Sequence, residues 1–478
     1  MKTIFYFPQK KIVKLFSNNK NIFFFDNQGL YKIQKRERIN IKIDTTLGQK
    51  ILQDKNFNEI IKDISDWGPV WSRFVDRGDQ YELYKRQILI KSLHLINFIK
   101  KNNIKLIIMY TYISHNIQSL MFDLICKHSN TKQIFFFHAN QLPGNKENLL
   151  VPILQKNNFK NRKFLNIKLS NYSFREFLLE KKKYIENKAN EKISSFKTYY
   201  KEYFYSRSFI LSLAKSIIYY SYANIRKFII KSYNVNFYYM DIMNYSVITH
   251  IKQMAQQQKS ISFYRKNTKT FNSFNNKYLM IASHTQPEAA SYPQGQEWNN
   301  HIDMILELRK KGYNDKILYK EHATNFNYYD HGIQHGRKGS NRSEEYYKNI
   351  LSLNSIFLPE NFNIFHTSSL ENILPITISG SIAIERSIAG YKTIYFGYPW
   401  WAGLPGTIHI NEIKNLSNIK KYILHDKQIS VSAINYLCKM LDNKTIVNSV
   451  NMHAIDNDIN ADNKHFANKI KEIIKKVT

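Results

Sequence analysis

The sequence predicts an α/β protein of two Rossmann-like lobes with a helical, basic and aromatic insertion between them. Two series of short apolar runs, rich in β-branched and aromatic residues, alternate with longer amphipathic stretches. This alternation is typical of βα units around a buried parallel sheet. The chain between the two series lacks such runs. We therefore predict a first lobe at 1–168, a helical arm at 169–270 and a second lobe at 271–478.

Length, charge and composition exclude several classes of protein. The chain has 478 residues, of which 43% are hydrophobic, and a net charge of +33. It is long enough for large cores and too apolar for a disordered polycation. A positive field attracts nucleic acid, anionic lipid or phosphorylated ligands. Cys126 and Cys438 are far apart and predict reduced thiols and no cysteine-based metal site. The most apolar long stretch, around 209–230, is interrupted by Lys215, Arg226 and Lys227, which predicts no membrane span, and the short first run predicts no signal peptide.

The individual elements follow from these runs in chain order. Strands are predicted at 3–7, 21–25, 106–110 and 133–137 in the first lobe, with a crossover helix at 114–128. In the second lobe, strands are predicted at 278–282, 316–319, 355–358, 376–379 and 393–396. A helix at 301–311 places apolar residues on one face, and Gly312 follows as its C-terminal cap.

The arm carries an excess of positive charge among its aromatic residues. Between 201 and 232 the only acid is Glu202, and the basic residues are Lys201, Arg207, Lys215, Arg226, Lys227 and Lys231. A basic aromatic helix is typical of membrane-surface elements. A helical linker that packs its aromatics on the lobes, with solvated lysines, is an alternative interpretation, and a nucleic-acid contact is a third.

The turn after the fourth strand of the second lobe is the most informative segment. The strand ends in Ser379, Gly380 and Ser381, and a helix starts at once. Glycine allows close backbone approach, and free N–H groups, hydroxyls and a helix N-terminus suit a phosphate. Glu385 lies one turn after Ser381 on the same helix face, where it would accept hydrogen bonds from a ribose diol. An ordinary strand–helix turn with a capping serine and an exposed glutamate is the alternative.

Polar residues also follow other strands of this lobe. Gln286 and Glu288 come after the first strand, and Lys320, Glu321 and His322 come at the end of the second. Ligands of open α/β sheets bind outside the carboxyl ends of strands. Residues 396–406 form a loop rich in glycine, proline and tryptophan that is suited to a pocket wall or to a rigid packed turn.

These motifs, taken in order, resemble the bacterial capsule and surface-polysaccharide biosynthesis transferases. This family includes Kdo transferases and is similar in its donor site to bacterial sialyltransferases. The resemblance covers about 280–410 well, the first lobe loosely through Ser114-His115-Asn116, and the arm hardly at all. It is carried by Gln286-Pro287-Glu288, Lys320-Glu321-His322, Arg342-Ser343 with Tyr346-Tyr347, Ser379-Gly380-Ser381 with Glu385, and Phe396-Gly397-Tyr398-Pro399-Trp400.

The resemblance implies a glycosyltransferase B arrangement with a CMP-activated acidic sugar in the second lobe. The phosphate would be held by Ser379, Gly380 and Ser381, and the ribose by Glu385. His322 matches the histidine of the family's His-Pro pair, and Ala323 stands where the family has the proline. The remaining donor-site residues would be Gln286 and Arg342, and Glu288 would line the cleft.

A CMP donor also accounts for the motifs that are missing. CMP is a single-phosphate leaving group, so neither an Asp-x-Asp metal motif nor a Walker loop is required, and we identify no convincing instance of either. We expect no metal and no cofactor. The acceptor needs a general base, or a retaining route needs a carboxylate nucleophile. The candidate catalytic residues are Asp76, Asp79, His115 and Glu288. A turn with two solvated aspartates and a capping histidine are the structural alternatives.

The leading hypothesis is therefore a cytoplasmic glycosyltransferase. It would move Kdo or a nonulosonic acid from CMP to a surface glycan or a lipid-linked acceptor. The basic arm would hold the protein at the anionic inner face of the membrane, and we expect no nucleic-acid partner. A UDP- or GDP-sugar transferase on the same fold is the nearest alternative. A basic nucleic-acid-binding protein is the alternative from another class, although no compact nucleic-acid motif is present.

Overall fold

The fold is described from a computed structural model. The description covers residues 2–6, 16, 21–26, 29–32, 37–38, 57–65, 78–109, 117–138, 148–155, 162–171, 173–191, 214, 217–218, 221, 247–284, 295–298, 300–322, 325, 342–444, 446–448 and 461–477.

The first sheet is mixed, with a parallel centre. Its strand order is β15-β7-β6-β5-β1-β2-β3-β4, and β8 pairs with β7. The central strands β6, β5, β1 and β2 run parallel, whereas pairs toward both edges are antiparallel. The strands are β1 (Lys2–Tyr6), β2 (Ile22–Asp26), β3 (Gly29–Lys32), β4 (Glu37–Arg38), β5 (Ile104–Met109), β6 (Lys132–His138), β7 (Asn148–Gln155), β8 (Arg162–Phe164) and β15 (Ile446–Asn448).

Among the described residues, three helices lie between β4 and β6 along the chain. They are α1 (Phe57–Ser65), α2 (Gly78–Asn102) and α3 (Ile117–Ser129). Both α2 and α3 lead into a parallel strand through an asparagine with positive φ, Asn103 and Asn130. Asparagine adopts this left-handed conformation more readily than most other non-glycine residues. It therefore allows a short turn between the end of each helix and the following strand.

The second sheet is parallel throughout its described strands. Its order is β11-β10-β9-β12-β13-β14. The strands are β9 (Tyr278–Ala282), β10 (Ile317–Lys320), β11 (Ser355–Leu358), β12 (Ile373–Thr377), β13 (Thr393–Tyr395) and β14 (Thr407–His409). All five residues of β12 are buried, as expected for a strand covered on both faces.

Helices cover this sheet and connect its strands. They are α6 (His301–Lys310), α7 (Glu344–Ser352), α8 (Thr367–Asn372), α9 (Ile382–Ile388) and α10 (Lys427–Leu441). Local capping explains where they start: Asn300 accepts the N–H of Ile302, and Ser343 accepts the N–H of Tyr346. Gly312 has φ +87° just after α6, which confirms the predicted glycine cap.

The predicted arm is described at its two ends. Helix α4 (Arg175–Ala189) and helix α5 (Val247–Lys266) pack on the second lobe. The hydroxyl of Tyr264 in α5 donates to the carbonyl of Leu358, and it accepts the N–H of Glu321. The basic run of 201–232 lies almost entirely outside the described residues, so its surface role stays a prediction.

The C-terminal segment returns to the first sheet. Strand β15 pairs antiparallel with β7. Helix α11 (Ala461–Val477) buries Phe466 and Ile470 in an apolar cluster with Phe5 and Leu106 of the first sheet. The segment predicted as the second lobe, 271–478, thus supplies its last strand and helix to the first one.

A continuous apolar cluster joins the two lobes. It contains Ile4 and Ile107 of the first sheet together with Ile384 of α9 and Leu437 of α10. The prediction of an α/β fold with two Rossmann-like lobes is confirmed by the two sheets and their flanking helices.

Both cysteines are thiols, as the sequence predicts. Cys126 and Cys438 are free and buried. Burial raises the pKa of both thiols. Among the described helices, none combines the length and the hydropathy of a bilayer-spanning segment.

Candidate functional site

The strand order of the second sheet defines a crevice at its carboxyl edge. From β9 the chain moves outward to β10 and β11, then returns to β12 on the other side of β9 and continues to β13 and β14. Loops after β9 and β12 therefore leave in opposite directions. This is the topological switch point at which open α/β sheets bind ligands.

His284 joins the two strands at this point. It follows β9, and its Nε2 accepts the N–H of Ile378 at 3.1 Å and lies 3.4 Å from the N of Ser379. The hydroxyl of Thr377 is 2.9 Å from the same Nε2. Because backbone N–H groups only donate, Nε2 carries the lone pair and the ring proton lies on Nδ1.

The turn between β12 and α9 is built around this contact. Thr377 Oγ1 accepts the N–H of Gly380 at 3.0 Å, so its own proton is free to point at His284. The sequence predicts free N–H groups in this turn. The structure instead satisfies those of Ile378, Ser379 and Gly380 with the side chains of Thr377 and His284.

Gly380→Ala should disrupt the turn. A Cβ at this position would lie 2.7 Å from His284 Cε1 and 2.7 Å from Thr377 Oγ1. Both neighbours are held by hydrogen bonds, so we expect a loss of about 1–3 kcal/mol in the free energy of unfolding. Urea unfolding measures this loss. Ser381→Ala, on the adjacent exposed residue, is the matched control and should change stability by less than about 0.5 kcal/mol. Equal stability of the two variants would contradict the close contact.

Glu321 is the centre of a buried polar network beside this turn. Its Oε1 accepts hydrogen bonds from the side chains of Ser283 and Asn325 and from the N–H of His322. Its Oε2 accepts from Arg342 Nε at 3.0 Å and from two tyrosine hydroxyls. Those hydroxyls belong to Tyr319 and Tyr347.

The charge of Glu321 is stabilised by these donors. Burial acts to raise the pKa of the carboxyl, but Arg342 and the hydrogen bonds from Ser283, Asn325 and His322 lower it below its ordinary value. Burial likewise acts to lower the pKa of Arg342, whereas Glu321 raises it above its ordinary value. Glu321 and Arg342 are therefore both charged near neutral pH and form a buried salt bridge.

His301 extends this network to the start of α6. Its Nδ1 lies 3.1 Å from Arg342 Nη2 and 3.0 Å from the Tyr346 hydroxyl. An arginine N–H only donates, so Nδ1 is an acceptor and the ring is neutral with its proton on Nε2. The His301 ring stacks on that of His284 with centroids 6.4 Å apart.

Three histidines at this edge are held neutral. Burial, followed by the positive charges nearby, lowers the pKa of His284 to about 3. Burial and the cation of Lys320 lower the pKa of His322 to about 4, and burial and Arg342 lower that of His301 well below its ordinary value. Burial also lowers the pKa of Lys320 to about 8. At neutral pH the three imidazole rings are therefore uncharged, and each can donate one N–H hydrogen bond.

Buried polar atoms without partners among the described residues occur at the same edge. They are Trp298 Nε1, His301 Nε2 and Asn325 Oδ1. Asn325 Nδ2 reaches the carbonyl of His284, and the Trp298 ring packs edge-on against Phe396. Since buried polar groups are normally paired, unpaired ones mark places where a ligand or water is expected.

The predicted donor-site residues fall into two groups. His322, Arg342, Ser379, Gly380 and Ser381 lie along the carboxyl edge just described. Glu385 lies in the first turn of α9 and is buried against α4, where Lys181 Nζ is 3.3 Å from its Oε1. Burial raises the pKa of Glu385 and Lys181 partly offsets this. The ribose-binding role of Glu385 stays a prediction. In the structure, Lys181 already pairs with one oxygen of its carboxylate.

The other predicted residues have side chains outside the described part of the chain. Asp79 belongs to the first turn of α2, but its side chain is not among those described. The remaining four residues lie in undescribed segments: Asp76, His115, Gln286 and Glu288. Within the described residues, no group of three or more His, Cys, Asp or Glu side chains is placed to hold a metal ion.

The predicted loop at 396–406 packs beside the same edge. Phe396 and Trp401 are buried, and the Tyr398 hydroxyl is 3.4 Å from Glu297. This places the loop against the short 3-10 helix Gln296–Trp298.

Sequence reasoning missed most of the side chains that build the site. Tyr319 lies inside strand β10 and reaches Glu321 through its hydroxyl, His301 starts a helix, and Tyr264 comes from the arm. The available signal was the tyrosine pair Tyr346-Tyr347 three residues after Ser343, which places both on the first turns of a capped helix. The link between Glu321 and Arg342 joins residues 21 positions apart and has no local signature.

The protein is a two-lobe α/β fold with a buried polar network at the switch point of its second sheet. No protein-family model matches the chain, and no curated protein matches it. Among solved structures, a glycosyltransferase from Rickettsia africae ESF-5 is similar to this chain. The identity is 11%, the TM-score is 0.24, and the alignment covers 100% of this chain and 98% of that one.

Proposed function

We propose that this protein is a glycosyltransferase that binds an activated sugar at the carboxyl edge of its second sheet. The observation that carries the proposal is the meeting of His284 with the 377–380 turn at the switch point between β9 and β12. A crevice in this position suits a nucleotide, since the loops on its two sides diverge.

The proposed donor is a CMP-activated acidic sugar, Kdo or a nonulosonic acid. Two features support an anionic ligand here. The charges of Glu321 and Arg342 neutralise each other, and neutral N–H donors and Lys320 remain to face the ligand. In the proposal, the phosphate lies over Ser379, Gly380 and Ser381 and is held by the serine hydroxyls, because the N–H groups of Ser379 and Gly380 already bond to His284 and Thr377.

The other donor contacts are assigned by their place at this edge. His322 would stabilise the leaving CMP as a neutral hydrogen-bond donor, because its pKa near 4 excludes a charged ring at neutral pH. Glu385 would accept from the ribose beside Lys181, and Gln286 would line the cleft. Arg342 would act through the buried network.

The acceptor is proposed to enter from the first lobe. A general base or a carboxylate nucleophile would come from Asp76, Asp79, His115 or Glu288. Because CMP carries one phosphate, the proposed reaction needs no metal. The acceptor would be a surface glycan or glycolipid, with the basic arm on the anionic inner face of the cytoplasmic membrane.

Thermal unfolding with candidate ligands tests the function. Saturating CMP, without added metal, should raise the melting temperature more than UDP, GDP or a short oligonucleotide. A ligand at 100 times its dissociation constant adds about 2.7 kcal/mol to the state that binds it. Ser381→Ala should reduce the shift, because the hydroxyl that is proposed to hold the phosphate is removed.

The other outcomes separate the alternatives. A shift with UDP or GDP alone would keep the transferase and replace the donor. Stabilisation by the oligonucleotide alone would overturn the proposal in favour of nucleic-acid binding. A CMP shift that appears only with added metal would contradict the metal-independent reaction.

A further inference from the structure

His284 has one ring nitrogen that the structural contacts leave unused. Nε2 is taken by Thr377, Ile378 and Ser379, whereas Nδ1 makes no hydrogen bond with the described residues. His284 as a whole is 7% exposed, but Nδ1 is not among the fully buried atoms that lack a partner. An N–H donor that is not fully buried and has no partner among the described residues is available to a ligand atom.

The orientation of the ring shows where that ligand atom lies. The Cε1–Nδ1 edge faces Gly380, because a Cβ built there would be 2.7 Å from Cε1 and 3.5 Å from Nδ1. Ser381, the next residue, is exposed and its side chain makes no capping bond. The free ring nitrogen is thus on the Gly380 side of the turn.

The tautomer is fixed by the backbone. An imidazole that accepts two main-chain N–H groups at Nε2 keeps its proton on Nδ1. Protonation of Nε2 would place a third hydrogen against these N–H groups. The charged and titratable neighbours are Arg342, Glu321, His322 and His301, of which Arg342 and His322 oppose a positive ring and Glu321 favours it.

We propose that His284 is a ligand-binding residue whose Nδ1–H donates a hydrogen bond, from a neutral ring, to a phosphoryl oxygen bound over Gly380 and Ser381. This rests on the proposed function and deepens it. It adds a donor outside the Ser-Gly-Ser turn, and it makes phosphoryl recognition independent of pH over the range in which ordinary histidines titrate.

The tautomer is tested first, without any nucleotide. Protein labelled with ¹⁵N-histidine should show, for one ring, a protonated Nδ1 and an unprotonated Nε2 from pH 8 to pH 5. Comparison with His284→Gln assigns the signal. A ring that is protonated on Nε2 in this range would overturn the inference, whatever the protein binds.

The contact is tested with a phosphodiester. Cytidine 5′-(methyl phosphate) carries one charge throughout this pH range, so its affinity should be constant for the wild type. Gln at position 284 can place an acceptor where Nε2 lies but offers no donor at Nδ1, and we expect roughly 10–100-fold weaker binding. His366→Gln is the matched control and should bind normally, since His366 also accepts a backbone N–H but does so as the N-cap of α8, before β12 begins.

The outcomes separate this inference from the proposed function. If the diester does not bind but inorganic phosphate or another nucleotide shifts the Nδ1 resonance, the CMP assignment fails and the contact stands. If the diester binds the wild type and His284→Gln equally, the contact is wrong and the donor assignment stands. If no phosphoryl compound shifts the resonance, the inference is overturned.

Discussion

Lowering the pH from 7 to 5 should reduce the free energy of unfolding by roughly 4–6 kcal/mol through the histidines at the carboxyl edge of the second sheet. In the folded protein, burial lowers the pKa of His284 to about 3, and that of His301 lies well below its ordinary value. In the unfolded chain both titrate near 6.5. Below that value the unfolded state binds protons that the folded state does not, so stability falls as the pH falls.

The magnitude follows from proton linkage. Each such histidine contributes about 1.4 kcal/mol per pH unit between the unfolded and folded pKa values, or about 2 kcal/mol from pH 7 to pH 5. His322, with a pKa of about 4 and a half-buried ring, adds a smaller share. The loss continues until the pH reaches the folded values, between about 4 and 3.

Urea unfolding at pH 7, 6 and 5 measures this effect. Tryptophan fluorescence reports on unfolding through five tryptophans, of which Trp298, Trp400 and Trp401 lie in the second lobe. Circular dichroism should give the same midpoint if unfolding is two-state. His301→Gln should make the dependence less steep by about one proton. Equal stability at pH 7 and pH 5 would show that these rings are protonated in the folded protein.

Glu321→Gln should be the most damaging isosteric change in the described part of the chain, with an expected loss of about 3–5 kcal/mol. The carboxylate is fully buried and accepts hydrogen bonds from β10, from α7 and from the loops beside them, with Arg342 among the donors. Glutamine leaves the guanidinium without its counter-charge. It also turns an N–H donor toward hydroxyls and amides that already donate. The loss should appear in urea unfolding at neutral pH.

Two further measurements, the pH dependence of the loss and its change on substitution of Arg342, test the role of the Glu321 charge. Since the folded pKa of Glu321 is depressed, its contribution is present above the unfolded value of about 4.5 and is lost as the pH falls through the folded value. Adding Arg342→Met should recover part of the loss, because the buried unpaired charge is removed. Strict additivity of the two substitutions would contradict a direct pair.

Glu360→Gln is the matched control for this substitution. Glu360 pairs with Arg265 at 2.7 Å, but both side chains are accessible to solvent. An exposed pair of this kind contributes less than about 1 kcal/mol. Comparable losses from Glu321→Gln and Glu360→Gln would show that burial does not strengthen the Glu321 pair.

The strands that carry the site could be predicted from the sequence. Strands β9 and β11 have the predicted bounds, and β10, β12 and β13 lie within three residues of them. Runs such as 278–282 are apolar and flanked by turn residues because both faces of a parallel strand are buried. The short edge strand β15 was missed, since three residues with antiparallel pairing leave no such pattern.

The site was predictable only where its signal was local. Lys320-Glu321-His322 and Ser379-Gly380-Ser381 stand out because polar residues follow apolar strands directly. Their partners come from distant elements. Neither the approach of His284 to Gly380 nor the donors around Glu321 can be derived from spacing along the chain.

The class of fold, the βα rhythm of both lobes and the strand ends at which polar residues collect can be predicted from local sequence patterns. These properties depend on short-range burial periodicity and turn chemistry, which each segment carries alone. The strand order, the packing of β15 and α11 on the first sheet and the ionisation of the site depend on tertiary contacts. Pairing across a sheet and burial of charge depend on which segments meet, and only then is His284 held neutral and Glu321 charged.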